Sequence, residues 1–295
     1  MTSRDKISFG CKAIDDLFKG GIKRNKPFCI FGRSMIGKTW MCMQIATYFT
    51  TYDKRKVLYL NTEADFDGEE FDRLAGYFKD RWNTVDIDRI EVKDLRDVWE
   101  LGEYFGMQVE IYQSEKRTEV VIKYPKRKGR DVKTSSKMRD WWKYSPFFND
   151  VQSGKYGLII LDSLSLPIKT EIGRGTQNLP ARATLQSPLL GTLLTLSGKY
   201  HVPTIFTVHA SVNPQGKSWD KPFGGDDIKF YTKYIMGILP PVKSEIPSKY
   251  QNLWQRFRRI WRFRYGFLEQ KMILVVLAKD YGYVDMSYLA GGRIR

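Results

Sequence analysis

The run Gly32-Arg33-Ser34-Met35-Ile36-Gly37-Lys38-Thr39 brings two glycines, an ammonium group and a hydroxyl into one short stretch. Residues of these types at this spacing can hold a triphosphate. The glycines let the backbone curl around an anion, and a following helix offers unpaired N–H groups and the positive end of its dipole. Lys38 can reach the β- and γ-phosphates, and the Thr39 hydroxyl can ligate Mg2+. The pattern is G-x-x-x-x-G-K-[ST], which carries meaning only between a strand and a helix. Both are predicted here: residues 28–31 are an apolar run, and helix formers with apolar residues fill 40–49. The sequence therefore predicts a nucleoside triphosphate site built from Gly32, Arg33, Ser34, Met35, Ile36, Gly37, Lys38, Thr39 and Trp40.

Two of the predicted strands end in carboxylates. Tyr156-Gly157-Leu158-Ile159-Ile160-Leu161-Asp162 reads as a central parallel strand whose C-terminal end faces the nucleotide. There Asp162 can hold Mg2+ through water. A strand ending in Asp is common by itself and gains weight downstream of a phosphate loop. Val57-Leu58-Tyr59-Leu60-Asn61-Thr62-Glu63 is a second buried strand with a carboxylate at its end.

These groups need a scaffold, and the rest of the chain supplies its parts. Ile14, Leu17 and Phe18 share a helical face that Gly20-Gly21 terminates. Helices are expected at 68–79, 95–105 and 185–200, and strands at 89–92, 203–208, 231–239 and 272–278. Residues 211–227 read as a Gly/Pro-rich loop, and Tyr281-Gly282-Tyr283 as a closing turn. Alternating strands and helices make an α/β fold, a doubly wound, mostly parallel sheet with helices on both faces. One domain over 1–295 is expected, with insertions at about 107–150 and 240–271.

Lys and Arg number 49 against 33 Asp and Glu, a formal charge of +16, with an isoelectric point near 9.6. In an NTPase that balance points to a polyanionic partner, and to nucleic acid before membrane. No apolar run approaches the length of a membrane span, the longest being strand-sized at 272–278. Cys11, Cys29 and Cys42 lack pair or metal spacing and read as reduced packing residues of a cytoplasmic protein.

Gly10-Cys11-Lys12-Ala13-Ile14-Asp15-Asp16-Leu17 with Gly20-Gly21-Ile22 resembles the leading segment of RecA-superfamily ATPase cores, both RadA recombinases and KaiC-like proteins. Asp162-Ser163-Leu164, followed by Glu171-Ile172-Gly173-Arg174-Gly175-Thr176, is similar to the RadA pattern in which this strand leads into the first DNA-binding loop. Pro222-Phe223-Gly224-Gly225 resembles the close of the second. The resemblance covers most of 7–92 and 155–239 and favours a RadA-type paralog with a RecA-like P-loop core. It implies ATP and Mg2+ as cofactors, with Lys38 and Thr39 on phosphate and metal and Asp162 as the Walker-B acid. It also implies that Glu63 orients the attacking water and that Arg174 touches a DNA phosphate. The expected partners are DNA, single-stranded by preference, and the main recombinase or copies of this chain, with no membrane. Where the family carries Asn-Gln after its strand, this chain has His209-Ala210, and Asp67 stands where an adenine-stacking arginine is usual. The family's N-terminal helical domain and its Phe-x-x-Ala segment are not seen in the sequence. A KaiC-like regulatory ATPase and a non-hydrolysing accessory subunit are the competing readings. The 172–175 loop and the charge speak against the former, and Glu63 against the latter.

Two basic segments lie outside the resemblance. Met107, Val109 and Ile111 alternate with polar residues, as do Val120, Ile122 and Tyr124, which predicts a hairpin. Lys126, Arg127, Lys128 and Arg130 follow, with Trp141, Trp142 and Tyr144 nearby for base stacking. Further on, Tyr250, Trp254, Phe257, Trp261, Tyr265 and Leu268 fall on one stripe at helical spacing, predicting a basic amphipathic helix over 249–271. Its Arg258, Arg259 and Arg262 would face outward to DNA phosphates, the rival reading being a membrane-surface helix.

Overall fold

The computed structural model describes residues 6–63, 68–115, 117–124, 145, 147–173, 176–211, 221–278 and 281–290. A small ribbon of β1 (Lys6–Ile7) and β2 (Ile22–Lys23) flanks helix α1 (Lys12–Leu17). Next come β3 (Phe28–Gly32), α2 (Lys38–Thr50), β4 (Lys56–Asn61), α3 (Gly68–Arg81), β5 (Ile90–Asp94) and α4 (Val98–Tyr104). Strands β6 (Gln108–Gln113) and β7 (Thr118–Lys123) form a separate hairpin. Beyond it lie α5 (Phe148–Gln152), β8 (Tyr156–Asp162), α6 (Ser165–Ile172), α7 (Leu179–Lys199), β9 (Thr204–Ser211), β10 (Lys221–Pro222) and α8 (Gly225–Tyr231). The chain continues through β11 (Tyr234–Leu239), β12 (Phe257–Tyr265), β13 (Lys271–Ala278), β14 (Gly282–Val284) and α9 (Ser287–Ala290).

The large sheet runs β14-β13-β12-β11-β3-β9-β8-β4-β5, with β10 attached to β9. From β11 to β5 every neighbouring pair is parallel, whereas β12, β13 and β14 add an antiparallel flank. Strands β3, β8 and β11 are buried at every position, as strands covered on both faces must be. The period of two sorts their side chains. Phe28 and Ile30 join Met41, Ile45 and Phe49 of α2 on one face, whereas Cys29 and Phe31 join Leu185, Leu189 and Leu193 of α7 on the other. Each fully buried Leu or Phe stabilises the fold by roughly 1.5–3 kcal/mol. This is the expected α/β sheet with helices on both faces.

The hairpin is present in the expected register, Val109 opposite Ile122 and Ile111 opposite Val120. Its turn closes without glycine through Ser114, whose N–H and hydroxyl both donate to the Arg117 carbonyl at 3.1 and 2.8 Å. The expected helix over 249–271 is absent. A 3₁₀ segment, Ser248–Arg256, leads instead into β12, which lies between β11 and β13. The false helical period has a physical source. Strand β12 is buried on both faces, with Ile260 and Tyr265 in one core cluster and Trp261 in the other. A bulge opposite Ile235 and Met236 adds one residue to β12 between Arg262 and Arg264, so the buried positions drift out of strict alternation. Two smaller readings also change: the last three residues of the expected loop, 225–227, open helix α8, which runs on to Tyr231 where a strand was expected, and the expected turn at 281–283 contains the start of strand β14.

Candidate nucleotide site

The candidate site lies at the C-terminal ends of the parallel strands, the usual place for a ligand on such a sheet. Gly32 closes β3 and pairs in register with His209 of β9, while Asn61 of β4 pairs with Asp162 of β8. Residues 33–37 then loop into α2, whose first residue is Lys38. Gly37 has φ of 106°, the left-handed region that favours glycine. A Cβ on Gly32 would come within 2.7 Å of Ile36 Cγ2 and 2.8 Å of the Ile238 carbonyl oxygen. Arg33, Ser34 and Met35 form the exposed outer rim, and Ile36 is buried beneath them. Trp40, also expected at the nucleotide, stacks on Tyr77 of α3 at 6.3 Å and turns its edge to Phe78.

Lys38 is only 6% exposed, and its Nζ donates to the Arg33 carbonyl at 3.1 Å. Burial holds its ammonium below the ordinary lysine range, opposed by attraction to Asp162 and Glu63. A phosphate chain would supply the negative charge that this buried cation favours.

Asp162 is buried at the end of β8, and both its oxygens accept hydrogen bonds. Tyr59 of β4 donates to Oδ2 at 2.8 Å and Thr207 of β9 donates to Oδ1. Each carboxylate oxygen keeps a further lone pair, so Asp162 can still accept from a metal-bound water. Sequence reasoning missed Tyr59 and Thr207, since no motif marks them. Both sit on strands flanking β8, which only the strand order reveals. The ends of β4 and β8 are laced together. Thr62 donates through its N–H to the Asp162 carbonyl at 2.8 Å and through its hydroxyl to the Ser163 carbonyl at 2.7 Å, and the Ser163 N–H returns a bond to that hydroxyl. The Glu63 N–H donates to Asn61 Oδ1, and Asn61 in turn donates to Asp94. Glu63 is thereby fixed beside the Asp162 end. Thr39 and Asp162 have the donor chemistry for Mg2+, and Glu63 can orient a water.

Arg174 and the cluster Lys126, Arg127, Lys128 and Arg130 lie outside the described residues. Arg182 donates to the Gly173 carbonyl, and Asn178 ties the same segment to the hairpin, giving a bond to Ile172 O and accepting one from the Thr118 N–H at 3.2 Å. Lys169 and Arg182 lie over the Phe223 ring at 4.6 and 5.6 Å, and the Phe223 N–H donates to the His209 carbonyl. The anchor points of both resembled DNA loops therefore share one cluster. His209 itself pairs with Ser165, Nδ1 to the hydroxyl at 2.8 Å.

The three arginines of the supposed helix serve the backbone instead. Arg258 Nε donates to the Ile36 carbonyl, Arg259 Nε to the Pro240 carbonyl, and Arg262 to the Glu269 and Leu17 carbonyls. Arg262 is 7% exposed. In a strand covered on both faces no common outward arginine face can form, which corrects that expectation for Arg258, Arg259 and Arg262.

No protein-family model matches the chain. In sequence it is similar to the DNA repair and recombination protein RadB of Methanoculleus marisnigri, 36% identical over 72 residues, 24% of this chain and 31% of that one. A RadB of Archaeoglobus fulgidus is 22% identical over 232 residues, 79% of this chain and 82% of its own. A RadA of Aeropyrum pernix is 21% identical over 243 residues, 81% of this chain and 61% of its own. The match thus spans under a third of the first relative and under two thirds of the last. A crystal structure of the RadB recombinase superposes with a TM-score of 0.59 at 17% identity, covering 95% of this chain and 99% of that one. The chain has a RecA-superfamily core resembling RadA, with the RecA-like fold. Among the described residues no helix is long and apolar enough to cross a membrane.

Proposed function

From this core we propose that the chain is a DNA-binding ATPase of recombination and repair, a RadA-like paralog that hydrolyses ATP slowly and prefers single-stranded DNA. One observation carries the reading: Lys38, Thr39, Glu63 and Asp162 are gathered at the ends of β3, β4 and β8, with Lys38 buried and drawn electrostatically to both carboxylates. In this reading the loop amides and Lys38 bind the phosphates, and Thr39 and Asp162 hold Mg2+, which when bound neutralises charge on the phosphate oxygens. Glu63 orients the attacking water and accepts its proton. Turnover is slow because His209-Ala210 replaces the family's Asn-Gln, leaving no amide to link γ-phosphate to DNA. Arg174, Lys126, Arg127, Lys128 and Arg130 are proposed as phosphate contacts, in keeping with the +16 charge. Beside DNA, the main recombinase or further copies of the chain are its proposed partners.

ATP turnover and DNA binding, measured with and without single-stranded DNA at two salt concentrations, test this. Slow turnover that DNA stimulates is expected. About five phosphate contacts give a log–log salt slope of roughly −3.5. Glu63→Gln should retain ATP binding while turnover falls by roughly 10²–10⁴-fold. Wild-type turnover in Glu63→Gln removes the water-orienting role, and DNA binding indifferent to salt removes the DNA reading.

A further inference from the structure

The phosphate loop is held from outside by residues far away in sequence. Arg258 Nε donates to the Ile36 carbonyl at 2.8 Å. The Tyr283 hydroxyl donates to the Gly37 carbonyl at 3.0 Å, with a longer approach of 3.5 Å to Ile36 O. Both donors come from the antiparallel flank, β12 and β14.

Peptide geometry gives these two bonds their meaning. In a planar trans peptide the C=O and N–H point in opposite directions. The Ile36 carbonyl shares its plane with the Gly37 N–H, and the Gly37 carbonyl shares its plane with the Lys38 N–H. The Gly37 carbonyl also accepts the Met41 N–H at 3.1 Å, the first bond of α2, so Tyr283 reinforces a peptide that the helix already orients, whereas Arg258 holds the Ile36 peptide. With both carbonyls so held, both N–H groups are turned the other way. Neighbouring N–H dipoles aimed at one point repel each other until an anion arrives, so a loop without such restraint has reason to rotate them apart. Donors fixed in advance bind and stabilise charge better than donors that must first be ordered.

The brace is itself rigid. Tyr283 is fully buried, its N–H donates to Gln44 Oε1 at 2.6 Å, and its carbonyl accepts from Gln44 Nε2 at 3.1 Å. Gln44 lies on α2, the helix into which the loop runs, so β14 grips both the loop and its helix. A Cβ on Gly37 would fall 2.5 Å from the Tyr283 hydroxyl and 2.9 Å from Leu277 Cδ2. Arg258 is oriented by further bonds from Nη1 to the Gln255 and Phe257 carbonyls.

We propose that Arg258 and Tyr283 are positioning residues for nucleotide binding, holding the Ile36 and Gly37 peptides so that the amides of Gly37 and Lys38 face the phosphates. This rests on the nucleotide reading of the site. Two measurements on the full chain test it: ATP titration by calorimetry, and amide hydrogen exchange of the nucleotide-free protein. Tyr283→Phe keeps the ring and removes only the donor, and Arg258→Gln shortens the other. Each should weaken ATP binding roughly fivefold, the worth of one hydrogen bond. The double variant should lose less than the product of the two, because the braced peptides are adjacent. Exchange should quicken at residues 33–39 and stay unchanged in β8. ATP affinities within twofold of wild type in both variants would overturn the proposal. Should the wild type bind no ATP, the nucleotide reading fails by itself. Loop exchange then decides, and an unaltered rate at 33–39 rejects the brace. If Tyr283→Phe does not fold, Arg258→Gln carries both measurements.

Discussion

Strands β4 and β8 of the parallel half keep their amide and carboxylate groups at their ends, whereas β12 of the antiparallel flank carries arginines along its length. Strands β3, β8 and β11 are buried throughout, and Asn61 and Asp162 terminate β4 and β8. Strand β12 instead carries Arg258, Arg259, Arg262 and Arg264 between its apolar residues, each guanidinium curling to a backbone carbonyl. The difference is one of purpose. Charge at the strand ends faces the candidate nucleotide site. Charge on the flank satisfies carbonyls that the turns and loops of the chain leave unpaired, and a guanidinium with five donors is suited to that task.

The sharpest separation of the two regions comes from Lys38→Met. Removing a buried cation from a ligand site should abolish stabilisation by ATP and raise the melting temperature of the nucleotide-free protein by about 2–4 °C. The pH dependence has a definite sign. Below the folded-state pKa of Lys38, which burial depresses, the native protein bears the cost of the buried charge. As pH rises from there toward the ordinary lysine range, the unfolded chain binds more protons than the native one, so wild-type stability gains on the variant. Thermal melts of both proteins across that range check it, and a variant no more stable than wild type at neutral pH counts against it.

On the flank, Arg262→Ala should cost about 2–3 kcal/mol by leaving the Glu269 and Leu17 carbonyls unpaired, with DNA affinity unchanged. Urea unfolding and a DNA titration read the two quantities. Weakened DNA binding in a fully stable variant would restore the ligand-facing role for β12. The mildest effect belongs to Thr207→Val, which deletes one hydrogen bond to Asp162 without touching the ligand. The Mg2+ concentration for half-maximal turnover should rise about tenfold, and no change would show that Tyr59 alone positions the carboxylate.

Legibility in the sequence follows the same division. The phosphate loop and the Asp162 strand were readable because a short spacing implies the geometry: a glycine-framed turn between strand and helix leaves the backbone little choice. Glu63 was reached through the family resemblance, and its place at the end of β4 agrees with the strand reading. Tyr59 and Thr207 were invisible, since they meet Asp162 only through the order of strands in the sheet. Strand β12 was misread because burial on both faces and one bulge gave Phe257, Trp261 and Tyr265 a helical interval. Its arginines then looked like a charged face, although each answers to a carbonyl that no local pattern announces.

The brace on the phosphate loop spans 222 residues from Arg258 to Ile36 and 246 from Tyr283 to Gly37. A nascent chain emerging from the ribosome displays its complete phosphate-loop signature early, yet lacks both donors until its last strands are made. The sheet can begin to form around β3, β4 and β8 during synthesis, but the loop gains the full brace only after β14 has been translated. A product truncated before Arg258 would retain the motif without either of these two bonds.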